Sequence, residues 1–236
     1  MFSYYGSKSK IIDCYPKPKH DLIIEPFAGS ARYALKWFDR DVILNDKYKV
    51  VVNIWKWLQQ CSEKDILNLP KLKPKQKTTD FNLTKVERDF LGFLCQRGVA
   101  RPGITTSEWR DTNGSPTVAD DLKRISANLF KIKHWEIRLG DFQELENKTA
   151  AWFIDPPYQV GGYKYPHNKI DYTMLSNWCQ QLNGQVIVCE NTKADWLPFK
   201  PMVEMQGTMF KTTEAIWSNQ RTNYDAQQTT LQFWKN

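Results

Sequence analysis

An α/β fold built on a mostly parallel sheet is what the sequence predicts, and three observations predict it. Four short apolar runs, Leu22-Ile23-Ile24, Val42-Ile43-Leu44, Ala151-Trp152-Phe153-Ile154 and Val186-Ile187-Val188-Cys189, are continuous rather than alternating, as strands buried on both faces are. Each run ends at polar or turn-forming residues: Glu25-Pro26, Asn45-Asp46, Asp155-Pro156-Pro157 and Glu190-Asn191. Helical spacing fills the intervals at 30–38, 48–60, 85–96, 120–131 and 172–182. Ligands of such sheets bind beyond the carboxyl ends of the strands, so the endings are where chemistry is expected.

Taken in order, the elements fall into two parts. Residues 1–61 and 135–236 carry the strand runs and are expected to form one domain. Residues 62–134 differ from both flanks and read as an insertion. It opens with the basic, proline-flanked segment Pro70-Lys71-Leu72-Lys73-Pro74-Lys75-Gln76-Lys77, expected to be extended or looped. Loops are also expected at 97–103 and at 109–116. A further short strand, Ile137-Arg138-Leu139, follows the insertion. In the last helix Met174, Leu175, Trp178 and Leu182 recur at helical spacing, the pattern of a core face.

The bulk numbers bound the function without naming it. A chain of 236 residues, 41% hydrophobic and 25% charged, can bury one good core. Ten tryptophans are more than a core of this size needs, which leaves some for stacking on bases. No apolar run approaches the roughly 20 residues that cross a bilayer, and the first residues lack a signal-peptide core, so a cytoplasmic protein is expected. Five scattered cysteines without a C-x-x-C pair argue against a disulfide framework or a zinc site. His20, His134 and His167 have no metal-like spacing either, and no metal is expected. The net charge of +7 and pI near 9.0 would attract nucleic acid, acidic membranes and acidic proteins alike.

Chemistry is concentrated at the strand ends. Glu25-Pro26-Phe27-Ala28-Gly29-Ser30-Ala31 is a small-residue turn between a strand and a helix, which lets backbone approach a nucleoside closely. Asp46, twenty-one positions beyond Glu25, is placed equally well to accept from a ribose or to cap the next helix. Gly140-Asp141-Phe142 offers a carboxylate for an adenine amino group and a ring to pack on it, or a plain turn. The strongest signal is Asp155-Pro156-Pro157-Tyr158. Two prolines fix the backbone, and the Asp155 carboxylate and Pro156 carbonyl can accept both hydrogens of a planar amino group. Tyr158 adds a face for stacking an extruded base.

Together these residues resemble the DNA adenine-N6 methyltransferase family, the Dam-like D12 class whose motifs run in the order cofactor, target recognition, catalysis (the alpha group). Tyr4-Tyr5-Gly6-Ser7-Lys8 is similar to that family's aromatic–glycine–lysine motif, and 25–30 to its cofactor loop. Asn45-Asp46, Gly140-Asp141-Phe142 and Asp155-Pro156-Pro157-Tyr158 follow in the family's order, and Glu214-Ala215-Ile216-Trp217-Ser218-Asn219 is similar to its closing strand. The resemblance covers about residues 1–60 and 135–220. It implies a Rossmann-like class I S-adenosylmethionine-dependent methyltransferase sheet with a mostly helical or looped target-recognition insertion. It also implies S-adenosyl-L-methionine as cofactor, with Tyr4 and Lys8 bordering the cleft and Phe27, Ala28, Gly29 and Ser30 wrapping the methionine part. Glu25 belongs to that cofactor set. Asp46 would hold the ribose, Asp141 and Phe142 the adenine, and Asp155 and Tyr158 the target base. The chain departs from the family at Ala31, where glycine is common, and alanine disfavours positive φ.

The implied reaction requires the target adenine to leave the duplex stack. Hydrogen bonds from its amino group to Asp155 and Pro156 would favour a tetrahedral nitrogen with an available lone pair, and positioning would supply most of the catalysis. Lys71, Lys73, Lys75 and Lys77 could meet phosphates of double-stranded DNA, and Arg97 and Arg101 phosphates or base edges. Contacts of that kind suit modest sequence specificity. Gly161-Gly162-Tyr163-Lys164-Tyr165 reads either as a mobile loop closing on the base or as a plain surface loop. The catalytic turn suits any planar amino group, so adenine in RNA is one alternative substrate. A non-catalytic nucleic-acid-binding protein of the same fold is another reading, against which the intact Asp155 motif argues. A partner nuclease is compatible with this picture without being implied by it. The expected home is the cytoplasm of a bacterium or of a virus's host.

Overall fold

The computed structural model describes residues 1–110, 115–206, 211–220 and 222. Residues 111–114, within the third expected loop, and 207–210, 221 and 223–236, within the second part of the expected catalytic domain, lie outside the described residues. The apolar runs become strands β1 (Leu22–Glu25), β2 (Asp41–Asp46), β4 (Ala150–Ile154) and β5 (Gly184–Asn191). With β3 (Glu136–Leu139), β6 (Lys200–Gln206) and β7 (Lys211–Ser218) they form one sheet in the order β3-β2-β1-β4-β5-β7-β6. All neighbours from β3 to β5 pair parallel, and β7 inserts antiparallel between β5 and β6.

Continuity of the apolar runs has a direct cause in this architecture. Ile23, Leu44, Ala151, Phe153 and Ile187 face one core cluster, while Ile24, Ile43, Trp152, Ile154 and Val188 face a second on the other side. Both faces are covered, so both parities of each strand are apolar. Covering the sheet are α1 (Arg32–Lys36), α2 (Lys49–Gln60) and α6 (Tyr172–Gln181). The stretch 62–134 supplies α3 (Glu63–Leu67), α4 (Lys85–Cys95) and α5 (Val118–Ser126). It has no core of its own: Leu91, Phe93, Leu122 and Ile125 belong to the same cluster as Ile23 and Trp55.

Several boundaries differ from the sequence reading for local reasons. Helix α1 is shorter than 30–38 because Ala31 sits at φ 46° and ψ 49°, a left-handed conformation no right-handed helix can contain. Helix α5 begins two residues before 120 because Thr117 and Asp120 form a reciprocal capping box, and it gives way after Ser126 to a tighter turn at Leu129–Ile132. Ser62 and Asp65 form another capping box, which starts the unanticipated α3. Strand β6 was also missed. It is an edge strand containing Pro201, with a register shift between Pro201 and Val203, and no continuous apolar run announces it.

Strand order reverses between β1 and β4: the chain builds outward through β2 to β3 on one side and through β5 on the other. A crevice at the carboxyl ends of β1 and β4 follows from that topology. Four of the five cysteines, Cys61, Cys95, Cys179 and Cys189, are buried. Among the described residues no helix is long and apolar enough to cross a membrane.

Candidate active site

A cleft of about 400 Å³ opens where the topology requires it. Four neighbouring strands each deliver one carboxylate to its wall: Asp141 just after β3, Asp46 ending β2, Glu25 ending β1 and Asp155 just after β4. The turn after β1 forms the floor. Gly29 holds φ +44°, and a β-carbon there would stand 3.1 Å from Tyr4 Cδ1, so only glycine lets Tyr4 lie against the turn. The Gly29 amide donates to Asp46 Oδ2 at 3.0 Å, and the Tyr48 amide donates to Asp46 Oδ1 at 2.8 Å. Asp46 thus faces the cleft while tying the turn after β1 to the chain entering α2, and the helix itself takes no side-chain cap.

Burial dominates the electrostatics. It pushes the Glu25 carboxyl up to about 8, against one amide donor, Ala34 N at 2.6 Å. Burial likewise raises Asp46. At Asp141 burial acts the same way, but the Lys47 ammonium at 2.8 Å and the Gln143 amide outweigh it and hold the group below the usual range. Asp155 is pushed up to about 6 by burial, with the Lys8 ammonium opposing and the Glu214 carboxylate adding to the rise.

Lys8 is the centre of the catalytic end. Its side chain is 7% exposed, and Nζ lies 2.8 Å from Asp155 Oδ1 and 3.7 Å from Glu214 Oε1. It also donates to the Gly6 carbonyl at 3.1 Å and stands 4.7 Å from the centre of the Tyr158 ring. Burial alone would depress this amine; Asp155 and Glu214 overcome it and raise the group.

The structure brings most sequence-selected residues together. Tyr4, Lys8, Glu25, Phe27, Ala28, Gly29, Ser30, Asp46, Asp141, Phe142, Asp155 and Pro157 line the cleft. Pro156 and Tyr158 are not among the lining residues: the Tyr158 hydroxyl points at Glu214, and Lys8 lies over its ring. Phe27 and Phe142 pair as rings 5.6 Å apart and give the Asp141 end an apolar wall. Of the two glycines after the Asp155 turn, Gly161 takes a left-handed φ of +100° in open space and Gly162 serves close packing. Gly162 is buried, a β-carbon there would stand 3.0 Å from the Pro157 carbonyl carbon, and its amide donates to the Tyr158 carbonyl at 3.0 Å. That turn delivers Tyr165, which lines the cleft, packs its ring on Tyr4 and Tyr5, and donates to the Tyr5 carbonyl at 3.0 Å. Sequence reasoning missed Tyr165 because the glycines drew attention to the loop rather than to the aromatic at its end.

Away from the cleft, Lys71, Lys73, Lys75 and Lys77 are all exposed. Their segment is stitched to 104–106 by Lys75 N to Thr106 O, Thr106 N to Gln76 O and Thr78 N to Ile104 O, a short two-stranded ribbon. Arg101 is exposed beside it, as are Ile104 and Trp109. Lys75 pairs with Glu108 at 3.3 Å, both well exposed, so the pair is weak and breakable. Arg97 is placed differently from the expectation: it joins Arg110 and Arg124 around the buried Asp121, at 3.1 Å. With 43% of its side chain exposed, Arg97 is half committed to holding α5. Among the described residues no group of three or more His, Cys, Asp or Glu is arranged to hold a metal.

Compared with known proteins, residues 4–195 match the model of the D12 class N6 adenine-specific DNA methyltransferases. No curated relative matches the chain.

Proposed function

This chain belongs to the D12 class N6 adenine-specific DNA methyltransferase family, and we propose that its cleft binds S-adenosyl-L-methionine and presents it to an adenine flipped out of double-stranded DNA. It is an enzyme that methylates the 6-amino group of adenine in DNA. The observation carrying the rest is the row of four carboxylates on four adjacent strand ends, with two phenylalanines at one end and Lys8–Asp155 at the other. The donor set fits the cofactor. Buried acids favour a cation, Asp46 is an acceptor at the distance along the chain where a ribose is held, and Phe27 and Phe142 make an apolar wall on which a purine can lie. The Gly29 cradle, which a β-carbon would fill, gives backbone access for the methionine part.

When bound, the cofactor supplies a sulfonium methyl already activated toward attack. This chain supplies position and acceptors. Asp155 accepts one amino hydrogen of the target adenine and the Pro156 carbonyl the other, so the nitrogen turns its lone pair toward the methyl. Formation of the nitrogen–carbon bond would break the methyl carbon–sulfur bond, the pair of electrons staying on sulfur as a neutral thioether, and the surplus proton on nitrogen would depart to Asp155 or to water. In the described state Lys8 occupies both Asp155 and the Tyr158 ring, and the entering base must take both from it.

The stretch 62–134 is proposed as the target-recognition part, with Lys71, Lys73, Lys75, Lys77 and Arg101 meeting phosphates and Arg97 contributing its exposed part. On this reading the protein works in the cytoplasm, where bacterial or viral DNA lies. The test is transfer of labelled methyl from S-adenosylmethionine to unmethylated duplex DNA by wild type and Asp155→Ala, with nucleoside analysis. N6-methyladenine from wild type alone is expected. Cofactor binding without any methylated base would refute the assignment of the reaction.

A further inference from the structure

Glu214 lies on β7, beyond the span 4–195 that matches the family, and no step above uses it. It is 2% exposed. One of its oxygens, Oε1, accepts from Tyr15 Oη at 2.6 Å and from the Tyr158 hydroxyl, and stands 3.7 Å from Lys8 Nζ. Two hydroxyls and an ammonium around one carboxylate oxygen are the company a buried negative charge requires. A carboxylate kept at that cost, behind a reacting group rather than in contact with it, calls for a reason.

The reason is in the position of Lys8. Its ammonium holds Asp155 Oδ1 and covers the Tyr158 ring, the two features that the target base needs. Expelling a buried ammonium into solvent would uncouple it from everything that balances its charge. A second carboxylate already stands within 4 Å. We propose that Glu214 is a positioning residue for methyl transfer: it receives the Lys8 ammonium when the target base takes Asp155, and through Tyr158 it holds the ring against which that base lies. This rests on the assignment of Asp155 above. The cluster holds two carboxylates against one ammonium, a net single negative charge facing the cationic donor; moving Lys8 redistributes that charge toward the reacting nitrogen without changing its sum.

Asp155 is faced by charged or titratable groups from several elements, so a pH readout must be read with care for each. Lys8 and Tyr165 approach from the N-terminal segment and the loop after β4, and Tyr158 and Cys189 lie behind. Glu25 and Glu190 are felt at longer reach. Glu214 raises Asp155 by like charge, and Lys8 opposes it. Replacing Glu214 with glutamine keeps an acceptor for both tyrosines but removes the charge and the second seat, so Lys8 stays on Asp155.

The experiment is steady-state and single-turnover methyl transfer by wild type and Glu214→Gln on duplex DNA across a pH series, with circular dichroism and a thermal melt on each. Wild type is expected to lose kcat below pH about 6 as Asp155 protonates. Glu214→Gln is expected to lose about tenfold in kcat with KM for DNA and cofactor within about twofold, and its acid limb moves down by about half a pH unit. Tyr15→Phe, outside the cleft lining, leaves the Glu214 charge less neutralised and moves the same limb up; it serves if Glu214→Gln does not fold. A limb that stays in place in the folded variant, or a lowered melting point with kcat unchanged, overturns the proposal. Failure of the wild type itself to methylate DNA would instead refute the assigned reaction, so the two failures are distinguishable.

Discussion

Glu25 carries the largest testable consequence of burial in this cleft. It is 2% exposed at the end of β1, accepts one amide hydrogen from Ala34, and has its carboxyl pushed up from 4.5 to about 8. The sign of the linkage follows directly. Between those two values the unfolded chain has released the proton while the folded chain keeps it, so the folded state binds more protons and stability falls as pH rises. The contribution is fully present below pH 4.5 and is lost progressively until pH reaches about 8. At 1.36 kcal/mol per pH unit and with partial ionisation near the upper end, the loss between pH about 5.5 and about 7.5 is about 2–3 kcal/mol. Glu25→Gln keeps an acceptor for Ala34 and cannot ionise. Urea denaturation of both proteins at several pH values, followed by tryptophan fluorescence, isolates the Glu25 contribution, because Asp46 and Glu190 titrate in both and cancel and only the weak coupling between Glu25 and Asp155 is left. The wild type is expected to lose about 2–3 kcal/mol relative to the variant over that interval. A difference constant to within about 0.5 kcal/mol would refute the reasoning that burial controls this carboxyl.

Two further outcomes are expected. Gly29→Ala forces a β-carbon into φ +44° and to 3.1 Å from Tyr4, costing about 1–2 kcal/mol and tilting the turn; the Kd for S-adenosylmethionine by calorimetry should rise about tenfold, and an unchanged Kd would mean the turn does not hold the cofactor. The combined change of Lys73, Lys75 and Lys77 to alanine should lower the slope of log K against log salt by about 0.9 for each lysine that meets a phosphate, up to about 2.7 in all. An unchanged slope in filter-binding or anisotropy titrations would remove the ribbon from the DNA surface.

How much of this was legible depended on whether a signal was local. The doubly buried strands were legible because two covered faces make a run apolar at every position, and β1, β2, β4 and β5 fall on the predicted runs. The turn after β4 was legible as a place in the cleft wall because Asp155 and its prolines are contiguous. Strand β6 was not, since an edge strand broken at Pro201 needs no apolar run. Nor was the Asp121 cluster: Arg97 and Arg110 lie 24 and 11 residues from their carboxylate, and their sequence neighbourhoods read as loops. Arg97 therefore looked available for DNA when half of it is engaged. Ala31 was legible as a departure but not as a conformation. Only the structure places it at positive φ, where it ends the turn and delays α1.

The least legible feature is the one on which the chemistry turns. Lys8, Asp155 and Glu214 come from the beginning, the middle and the end of the chain, and only the antiparallel insertion of β7 beside β5 brings the last of them against Lys8 and Tyr158, behind the cleft wall. The electrostatic design differs correspondingly from what a basic composition suggests. Positive charge is displayed on the surface ribbon, where DNA would meet it, whereas the cleft is walled by acids. Burial keeps Glu25, Asp46 and Asp155 from ionising as readily as free carboxylates, and an arriving cation reverses that penalty. On the proposed function, a cationic methyl donor would therefore create much of the negative field that binds it. Its affinity should rise with pH toward the Glu25 value, while DNA affinity, which on this reading depends on the surface ribbon and not on the cleft acids, should not. The two proposed ligands would thus be separated by the physics of where each charge is buried, which is how a protein with a net charge of +7 would hold a cation at its centre.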